Sequence, residues 1–565
     1  MTDRHHGNIA LQWTNIFFQA LSKYGVKHIV VSPGSRSTPL TLAVASNPHL
    51  QKHVILDERS AAFTALGIGK ATDTPAVLIC TSGTALANYY PAVIEARQSG
   101  VPMILVTADR PPHLRATGAN QAIDQLKIFG DYPVFFHEVG EPESGTKDLQ
   151  RLNILAKQSV SLSREKRGPV HLNFPFRKSL EPTDEMLKKI EKENKNLPNS
   201  TAENKNTSTA LSLSTSLQKI LSSVRKPLII IGPTAPSDDV DSISKLGDKL
   251  DAPVLTESSI DSPNTIRGFA GILRNKDRRN QLEPDVILRF GFQPTSKSLA
   301  TALEEWNPQH HFHFSSTNAW QDATFSGAER IAWMGQKIHI ENITTNTGTT
   351  WIENWKQTEH EFANYYQKTI NRYAQLTDGS IYHQLTPQIP EDHFIAVSNS
   401  FPARDVNLFG QHTTNLPLFV NRGASGIDGI TSTALGVSKG LEKSGVLFTG
   451  DLAFLHDTNA LLNHKNLAQS LVVVVINNGG GSIFRMLPIH NNKQHFEPYF
   501  ETPQNANIRT LVSAYDIPHY LISSLSELKK MDLASITDQN KGLSVIECQT
   551  DAEASMELRN QLWNF

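Results

Sequence analysis

Asp451 and Asn478 are the pair whose types and spacing invite chemistry. The chain reads GVLFTGDLAF around the first and SLVVVVINNGGGSIF around the second. Each polar residue closes an apolar, strand-like run. The stretch between them suits one strand–helix–strand crossover of roughly 30 residues. In a parallel sheet such a crossover returns the chain to the same edge. A carboxylate oxygen, an amide oxygen and a backbone carbonyl from the glycine run then converge. Three hard oxygen ligands, with positions left for phosphate oxygens and water, suit Mg2+. The glycines let the backbone approach a ligand closely. Taken singly, GD and NNGGG are turn sequences; together, each ending an apolar strand, they point to a metal–diphosphate site.

A second set of residues is cationic. Arg36 in SPGSRSTPL, Arg110 in TADRPP, Arg404 in NSFPARD and Arg422 in NRGASG each lie at or just past a predicted strand end. A single surface arginine is usually solvated. Four at ligand-facing edges point to polycarboxylate substrates gripped by bidentate Arg–carboxylate pairs.

The elements that must position these residues form an α/β pattern. A chain of 565 residues exceeds one core, and three domains are the natural division at roughly 100–200 residues each. Residues 1–180 alternate short β-rich runs (HIVVSPGSR, PAVLICTSGT, VPMILVTADRP) with amphipathic helical ones, as in a mostly parallel sheet. Residues 181–214, EPTDEMLKKIEKENKNLPNSTAENKNTSTALSLS, read as a solvated linker with one short charged helix. Residues 215–334 form a central Rossmann-like segment with strands in PLIIIGPT, APVLTES and DVILRFG. No GxGxxG follows its GP turn, so no dinucleotide is expected there. Residues 335–378 are a connector containing NITTNTGTT and an amphipathic helix, WIENWKQTEHEFANYYQ. Residues 379–565 return to strand–helix alternation, and SLVVVVI reads as a buried parallel strand. The first and third segments look like two similar α/β domains. In such sheets ligands bind beyond the carboxyl ends of the strands, where SPGSRSTP, LDERSA, TSGTALAN and TADRPP sit.

Composition excludes several classes. The formal net charge of −2 gives no global reason to bind nucleic acid. No apolar run reaches the ~20 residues needed to span a bilayer, so no stable membrane insertion is expected. Cys80 and Cys548 are the only cysteines and end the apolar runs PAVLIC and LSVIEC. Buried thiols are expected, with no disulfide framework or zinc site. MTDRHHGNIALQW has no basic stretch followed by an apolar one, and a cytoplasmic location is expected.

The Gly-Asp and Asn-Asn bracket resembles the signature of thiamin-diphosphate (ThDP) enzymes, with Gly-Asp-Leu here in place of Gly-Asp-Gly. The resemblance implies three doubly wound parallel-sheet domains of the ThDP-enzyme type: pyrimidine-binding, central and diphosphate-binding. It implies ThDP with Mg2+, Mn2+ being the alternative ion, held by Asp451, Asn478 and the Gly480 carbonyl, with Gly450 beside the diphosphate. It also implies a glutamate beside the pyrimidine N1′ that favours the imino tautomer, supplied by the partner subunit. Glu58, in VILDERSAAFTALGIGKAT, stands at a strand end and opens a small-residue helix able to pack closely against a ring. The alternative for Glu58 is a helix N-terminal acid favoured by the macrodipole. The bent cofactor requires a bulky aliphatic wedge, a place taken by Ile427 in NRGASGIDGITST; otherwise Ile427 is ordinary core. A site split between two domain types on two chains implies a homodimer or a dimer of dimers.

The motifs SPGSRSTPL, LDERSA, ADRPP followed by TGANQAIDQ, NSFPARD, NRGASGIDG and NNGGGSIF, in this order, resemble the MenD family. These are the 2-succinyl-5-enolpyruvyl-6-hydroxy-3-cyclohexene-1-carboxylate synthases of menaquinone biosynthesis. The motifs cover both outer segments; the middle segment and linker match only in general character. The resemblance implies a transferase that decarboxylates 2-oxoglutarate on ThDP and adds the succinyl carbanion to isochorismate in a 1,4-addition, with loss of CO2. Carried over residue by residue, Ser35, Arg36 and Arg110 face the isochorismate carboxylates. Asn120 and Gln121 lie near the reacting carbons, with Gln121 a catalytic candidate that positions a proton or hydroxyl. Ser400, Arg404 and Arg422 hold the 2-oxoglutarate and cofactor side. Ile483, Phe484 and Leu487 form an apolar wall that excludes water. The family supplies a basic pair from the middle segment, whereas here Lys297 is followed by Ser298; Arg289 is the other source of a second cation. Two further readings share the cofactor. A carboligase of the acetolactate-synthase kind is opposed by the four arginines. A non-catalytic ThDP-fold subunit is opposed by Glu58, Asp451 and Asn478 together.

Overall fold

The computed structural model describes residues 5–197, 210–258, 260, 262–317, 320–341, 343, 349–410 and 416–565. The 198–209 part of the linker and most of NITTNTGTT therefore lie outside the described residues. The chain divides into two compact units.

The first unit is Met1–Asn206 with Asn421–Glu442 and Asp457–Asn463. Its strands are β1 (His28–Val31), β2 (Gln51–Val54), β3 (Ala76–Cys80), β4 (Met103–Asp109), β5 (Phe135–Glu138) and β6 (Pro169–Pro175). They form one parallel sheet in the order β2-β1-β3-β4-β6-β5. The inner strands β1, β3, β4 and β6 are buried along their whole length, as expected where helices cover both faces. One face carries helices His5–Lys23 and Thr146–Glu165, through Trp13, Phe17, Phe18, Leu152 and Leu155. The other carries Glu58–Thr72 and Tyr90–Gln98, through Phe63, Leu66, Ile68 and Val93.

The charged helix of the linker forms as Asp184–Lys195, capped by Thr183. It is docked rather than solvated. Ile190 joins the core, and the buried Asn194 donates to Asn15 Oδ1 at 2.9 Å and to the Ser46 carbonyl at 3.1 Å.

Helix Glu58–Thr72 packs on helix Ile430–Leu441 at backbone contact. A Cβ at Gly67 would lie 2.1 Å from the Thr433 carbonyl oxygen, and one at Gly436 2.0 Å from that of Thr64. Gly67 and Gly436 therefore serve a helix–helix crossing. Gly436→Val is expected to lower stability by at least about 1–3 kcal/mol, the usual cost of overpacking a tight interior. Thermal unfolding followed by circular dichroism measures it, and an unchanged midpoint would contradict the crossing.

The second unit is Thr207–Val420, Lys443–His456 and His464–Phe565. In chain order its first strands are β7 (Leu211–Ser212), β8 (Pro227–Ile231), β9 (Val254–Thr256), β10 (Val286–Phe290), β11 (His310–Ser315), β12 (Glu329–Ala332) and β13 (Ile338–His339). β8 to β12 form a parallel sheet in the order β12-β11-β10-β8-β9, and β7 pairs with β13. There follow β14 (Phe394–Val397), β15 (Leu418–Val420), β16 (Gly445–Gly450), β17 (Ser470–Asn477), β18 (His519–Ile522) and β19 (Gly542–Gln549). Their parallel sheet has the order β15-β14-β16-β17-β19-β18. Numbered within its own sheet, this is the strand order of the first unit. The likeness of the first and third segments thus extends to topology, and SLVVVVI is the buried centre of β17.

Cys80 and Cys548 are buried free thiols, and burial pushes both well above the usual thiol range. Among the described residues no helix is long and apolar enough to cross a membrane.

Candidate active site

β16 and β17 are parallel neighbours, with Gly450 opposite Ile476. Asp451 opens a short helix directly after β16, and Asn478 follows β17 by one residue. The crossover between them is that helix, Asp451–His456, and a 3-10 segment, Thr458–Asn466, rather than one long helix. Asp451 is 5% exposed. It accepts from the Leu452 N–H at 2.9 Å and from the Gly480 N–H, so the acid and the glycine run touch. Burial pushes its carboxyl up to about 7, with the charge of Asp378 adding. Asn478 Nδ2 donates to Asp378 Oδ2 at 3.2 Å, and its Oδ1 accepts from Ser482 Oγ at 2.9 Å. Those partners decide which end of the amide is oxygen. Gly480 has φ of +124°, and a Cβ there would lie 2.1 Å from the Glu501 carbonyl oxygen.

This donor set fits a hard divalent cation. It offers one buried carboxylate, one oriented amide oxygen and main-chain carbonyls at the carboxyl edge of a parallel sheet. A bound cation favours the ionised form of Asp451. Among the described residues no three His, Cys, Asp or Glu side chains gather as a metal cluster.

Glu58 is the first residue of its helix, after β2. The capping is done by its neighbour: Asp57 accepts from the Arg59 N–H at 2.9 Å and from Asn459 Nδ2 at 2.7 Å. Burial pushes the half-buried Glu58 carboxyl above its usual range, with Asp57 adding, against a hydrogen bond from its own N–H. The shift is toward the protonated form. Ile427 is 37% exposed, so it is not core of the chain by itself.

Ile427 and Arg422 lie on a loop that the 3%-exposed Glu95 holds. Glu95 accepts from the N–H groups of Gly423 at 2.9 Å and Ala424 at 2.6 Å, and Lys70 Nζ lies 3.5 Å away. Glu95 escaped the sequence reading. Its signal was a lone acid in the helical run YPAVIEARQ.

The remaining predicted residues fall into three groups. Ser35 and Arg36 follow β1, at the reversal of strand order between β1 and β3. Arg36 is 3% exposed; it donates to the Phe176 carbonyl at 2.7 Å and leaves Nε without a hydrogen-bond partner. Arg110 follows β4, and its Nε donates to the Asn120 carbonyl at 3.1 Å, which brings those two together. Gln121 donates to the Ser82 carbonyl at 2.8 Å. The loop is held from below by the fully buried Gln125, which accepts from the Gly83 N–H at 2.9 Å and donates to Asn173 Oδ1 at 3.0 Å. Gln125 was quoted within TGANQAIDQ but given no role.

Ser400 follows β14, the neighbour of β16. Its carbonyl accepts from Arg404 Nη1 at 2.8 Å. Gln121, Ser400 and Ser425 have φ of +56°, +75° and +60°, a strained setting that surrounding structure must maintain. Ile483 and Phe484 lie on the 3-10 turn Ser482–Met486, followed by Leu487. Arg485 pins this turn to Glu501 at 2.6 Å. Phe484 is 37% and Leu487 49% exposed.

Lys297 and Arg289 stand apart. Lys297 opens helix Lys297–Glu305 and lies 3.7 Å from Glu304. Arg289 is fully buried in β10, where it donates to His313 Nδ1 at 3.0 Å and to the Gln321 carbonyl and faces Asp322 at 3.8 Å. Among the described contacts neither reaches another predicted site residue.

Two parallel sheets of one strand order, with an acid and an amide closing neighbouring strands of one and a half-buried glutamate opening a helix of the other, are the frame of a thiamin-diphosphate enzyme. Residues 12–128 match the family described as thiamine pyrophosphate enzyme, N-terminal TPP binding domain, and residues 410–548 the corresponding C-terminal TPP binding domain. Along nearly its full length the chain is also similar to proteins named 2-succinyl-5-enolpyruvyl-6-hydroxy-3-cyclohexene-1-carboxylate synthase. One from Oceanobacillus iheyensis is 34% identical over 564 residues, 97% of this chain and 96% of that protein. One from Gloeothece citriformis is 36% identical, covering 99% and 98%. One from Crocosphaera subtropica is 37% identical, covering 98% and 97%. The chain belongs to this synthase family.

Proposed function

We propose that the chain joins 2-oxoglutarate to isochorismate, forming 2-succinyl-5-enolpyruvyl-6-hydroxy-3-cyclohexene-1-carboxylate and CO2 in menaquinone biosynthesis. The observation that carries the reading is the Asp451–Gly480–Asn478 edge, a fit for a cation and a diphosphate, in a chain whose relatives share that name along nearly their whole length. Thiamin diphosphate, when bound, would supply the electron sink that decarboxylation of a 2-oxo acid requires.

The residues of this chain do the rest. Asp451, Asn478 and the Gly480 carbonyl hold Mg2+, or Mn2+ in its place, against the diphosphate beside Gly450. Glu58 would present its carboxyl to the cofactor's pyrimidine, and Ile427 would pack against the cofactor rings. Ser35, Arg36 and Arg110 bind the isochorismate carboxylates, with Asn120 and Gln121 at the reacting carbons. Ser400, Arg404 and Arg422 bind 2-oxoglutarate, and Lys297 approaches from the middle segment. Ile483, Phe484 and Leu487 exclude water, which keeps the new carbon nucleophile from simple protonation. The strained Gln121 and Ser400 support these roles, since backbone strain clusters at functional sites.

The working division is a pyrimidine-binding domain over 1–180, a linker over 181–214, a central domain over 215–334, a connector over 335–378 and a diphosphate-binding domain over 379–565. The enzyme works in the cytoplasm as a homodimer or dimer of dimers. Val54, Leu56, Ile427, Phe484 and Leu487 are apolar and 37–68% exposed in the single chain, which supports a partner subunit closing the site.

The test is turnover by purified protein with ThDP and MgCl2. Consumption of 2-oxoglutarate is expected to stay slow until isochorismate is added, with the succinylated product detected by mass. No product with both substrates present would sink the reading, and turnover of pyruvate would favour a carboligase of the acetolactate-synthase kind.

A further inference from the structure

A buried charge cluster lies behind the Asn478 amide. Asp378 is the first residue of helix Asp378–Leu385 and is 1% exposed. Its Oδ2 accepts from Asn478 Nδ2 at 3.2 Å and from Arg559 Nη2 at 2.6 Å. Its Oδ1 accepts from Thr550 Oγ1 at 2.6 Å and Ser555 Oγ at 3.2 Å. Arg559, on the C-terminal helix Ala552–Trp563, is likewise 1% exposed and forks onto Asp405 through Nε at 2.9 Å and Nη2 at 2.5 Å. Its guanidinium lies 3.7 Å from the centre of the Phe401 ring. Asp405 and Phe401 belong to the helix that begins directly after Ser400. One buried guanidinium is thus shared between two buried carboxyl groups beneath Asn478.

We propose that Asp378 is a positioning residue for the cation site. It commits the Asn478 NH2 group inward, which leaves the amide oxygen for the cation. Arg559 is what allows a carboxyl group to be buried there: a lone buried charge is costly, whereas a paired and hydrogen-bonded one is tolerated. Through Asp405 the same guanidinium ties the cation side to the helix bearing Arg404. The proposal rests on the reading of Asn478 as a cation ligand.

Asp378→Asn separates positioning from structure. It keeps the volume and leaves Arg559 and Asp405 as a one-to-one pair, so the fold is expected to hold. ThDP binding is followed by calorimetry across a MgCl2 series. The half-saturating Mg2+ concentration is expected to rise roughly 10- to 100-fold, the usual effect of losing a carboxylate that orients a metal ligand. KM for 2-oxoglutarate at saturating ThDP and Mg2+ is expected to stay unchanged. A lower melting temperature with an unshifted Mg2+ dependence would overturn the proposal. Should the variant fail to fold, Thr550→Val removes one hydrogen bond to Asp378 and leaves every charge in place. A rise of a few-fold in half-saturating Mg2+ is then expected, and no rise overturns the proposal. Parent protein without Mg2+-dependent ThDP binding overturns the underlying reading as well.

Discussion

Glu58→Gln binds ThDP nearly as well as the parent and loses turnover by about 10²- to 10⁴-fold, the range a positioned acid contributes. The substitution preserves size and hydrogen-bonding capacity but removes a transferable proton. Three features of the site make the proton the issue. The carboxyl is half-buried, and burial pushes it toward its protonated form. Its helix is already capped by Asp57, so the start of the helix does not depend on Glu58. The alternative role, an acid favoured by the macrodipole, is worth only about 0.3–1 kcal/mol of stability and no turnover. The working form is the protonated one, so parent activity falls as pH rises through the raised pKa, and the Gln variant loses that limb. Calorimetric ThDP binding alongside kcat across pH measures both effects. Unchanged turnover would contradict the assignment, and lost binding would move Glu58 from catalysis to assembly.

Asp451→Asn removes the carboxylate that directly follows β16 and weakens Mg2+-dependent ThDP binding by at least about 10²-fold, beyond the range expected for a group that only orients a ligand. Activity at ordinary cofactor concentrations is lost with it. The obvious objection is misfolding, and the burial of Asp451 answers it. A carboxyl at about 7 in the fold and about 3.9 unfolded binds its proton more tightly when folded. The stability of the cation-free protein therefore falls as pH rises from about 4 toward 7 and stays low above that. An amide carries no such cost. At pH 8 without divalent cation the variant is expected to melt no lower than the parent. With ThDP and Mg2+ the order reverses, because only the parent gains stability from binding. A variant that binds ThDP and Mg2+ like the parent would remove Asp451 from the site.

The parts of this protein that could be read in the chain are those encoded by neighbours. Val, Ile and Leu runs such as SLVVVVI, PLIII and AVLIC announce buried parallel strands because both faces must be apolar. A polar residue just past such a run stands at a sheet edge wherever the strand lies, and this placed Asp451, Asn478, Ser35 and Arg110. The repeated alternation announced two similar outer sheets, and their strand orders agree. Charged composition alone misjudged the linker helix, whose few apolar residues, Ile190, Met186 and Leu187, pack on the core beside the buried Asn194.

What the chain did not announce depends on which faces meet. Asp378, Arg559 and Asp405 are scattered through the second unit's sequence, and nothing local marks any of them as belonging behind Asn478. Glu95 and the loop at Gly423 are joined only because Tyr90–Gln98 and that loop share one unit. Helix Glu58–Thr72 was legible as a small-residue helix, but its partner, Ile430–Leu441, was not: a glycine pattern states that something comes close and is silent on what. Lys297 was named through the resemblance alone, and its exposed contact with Glu304 on its own helix is likewise something no local pattern announced. The sequence by itself determined the strands, their polar ends and hence the residue types offered to a cofactor. The tertiary structure decided how buried charges are shared and which backbones touch, because those energies arise between segments far apart in the chain and exist only once desolvation has brought them together.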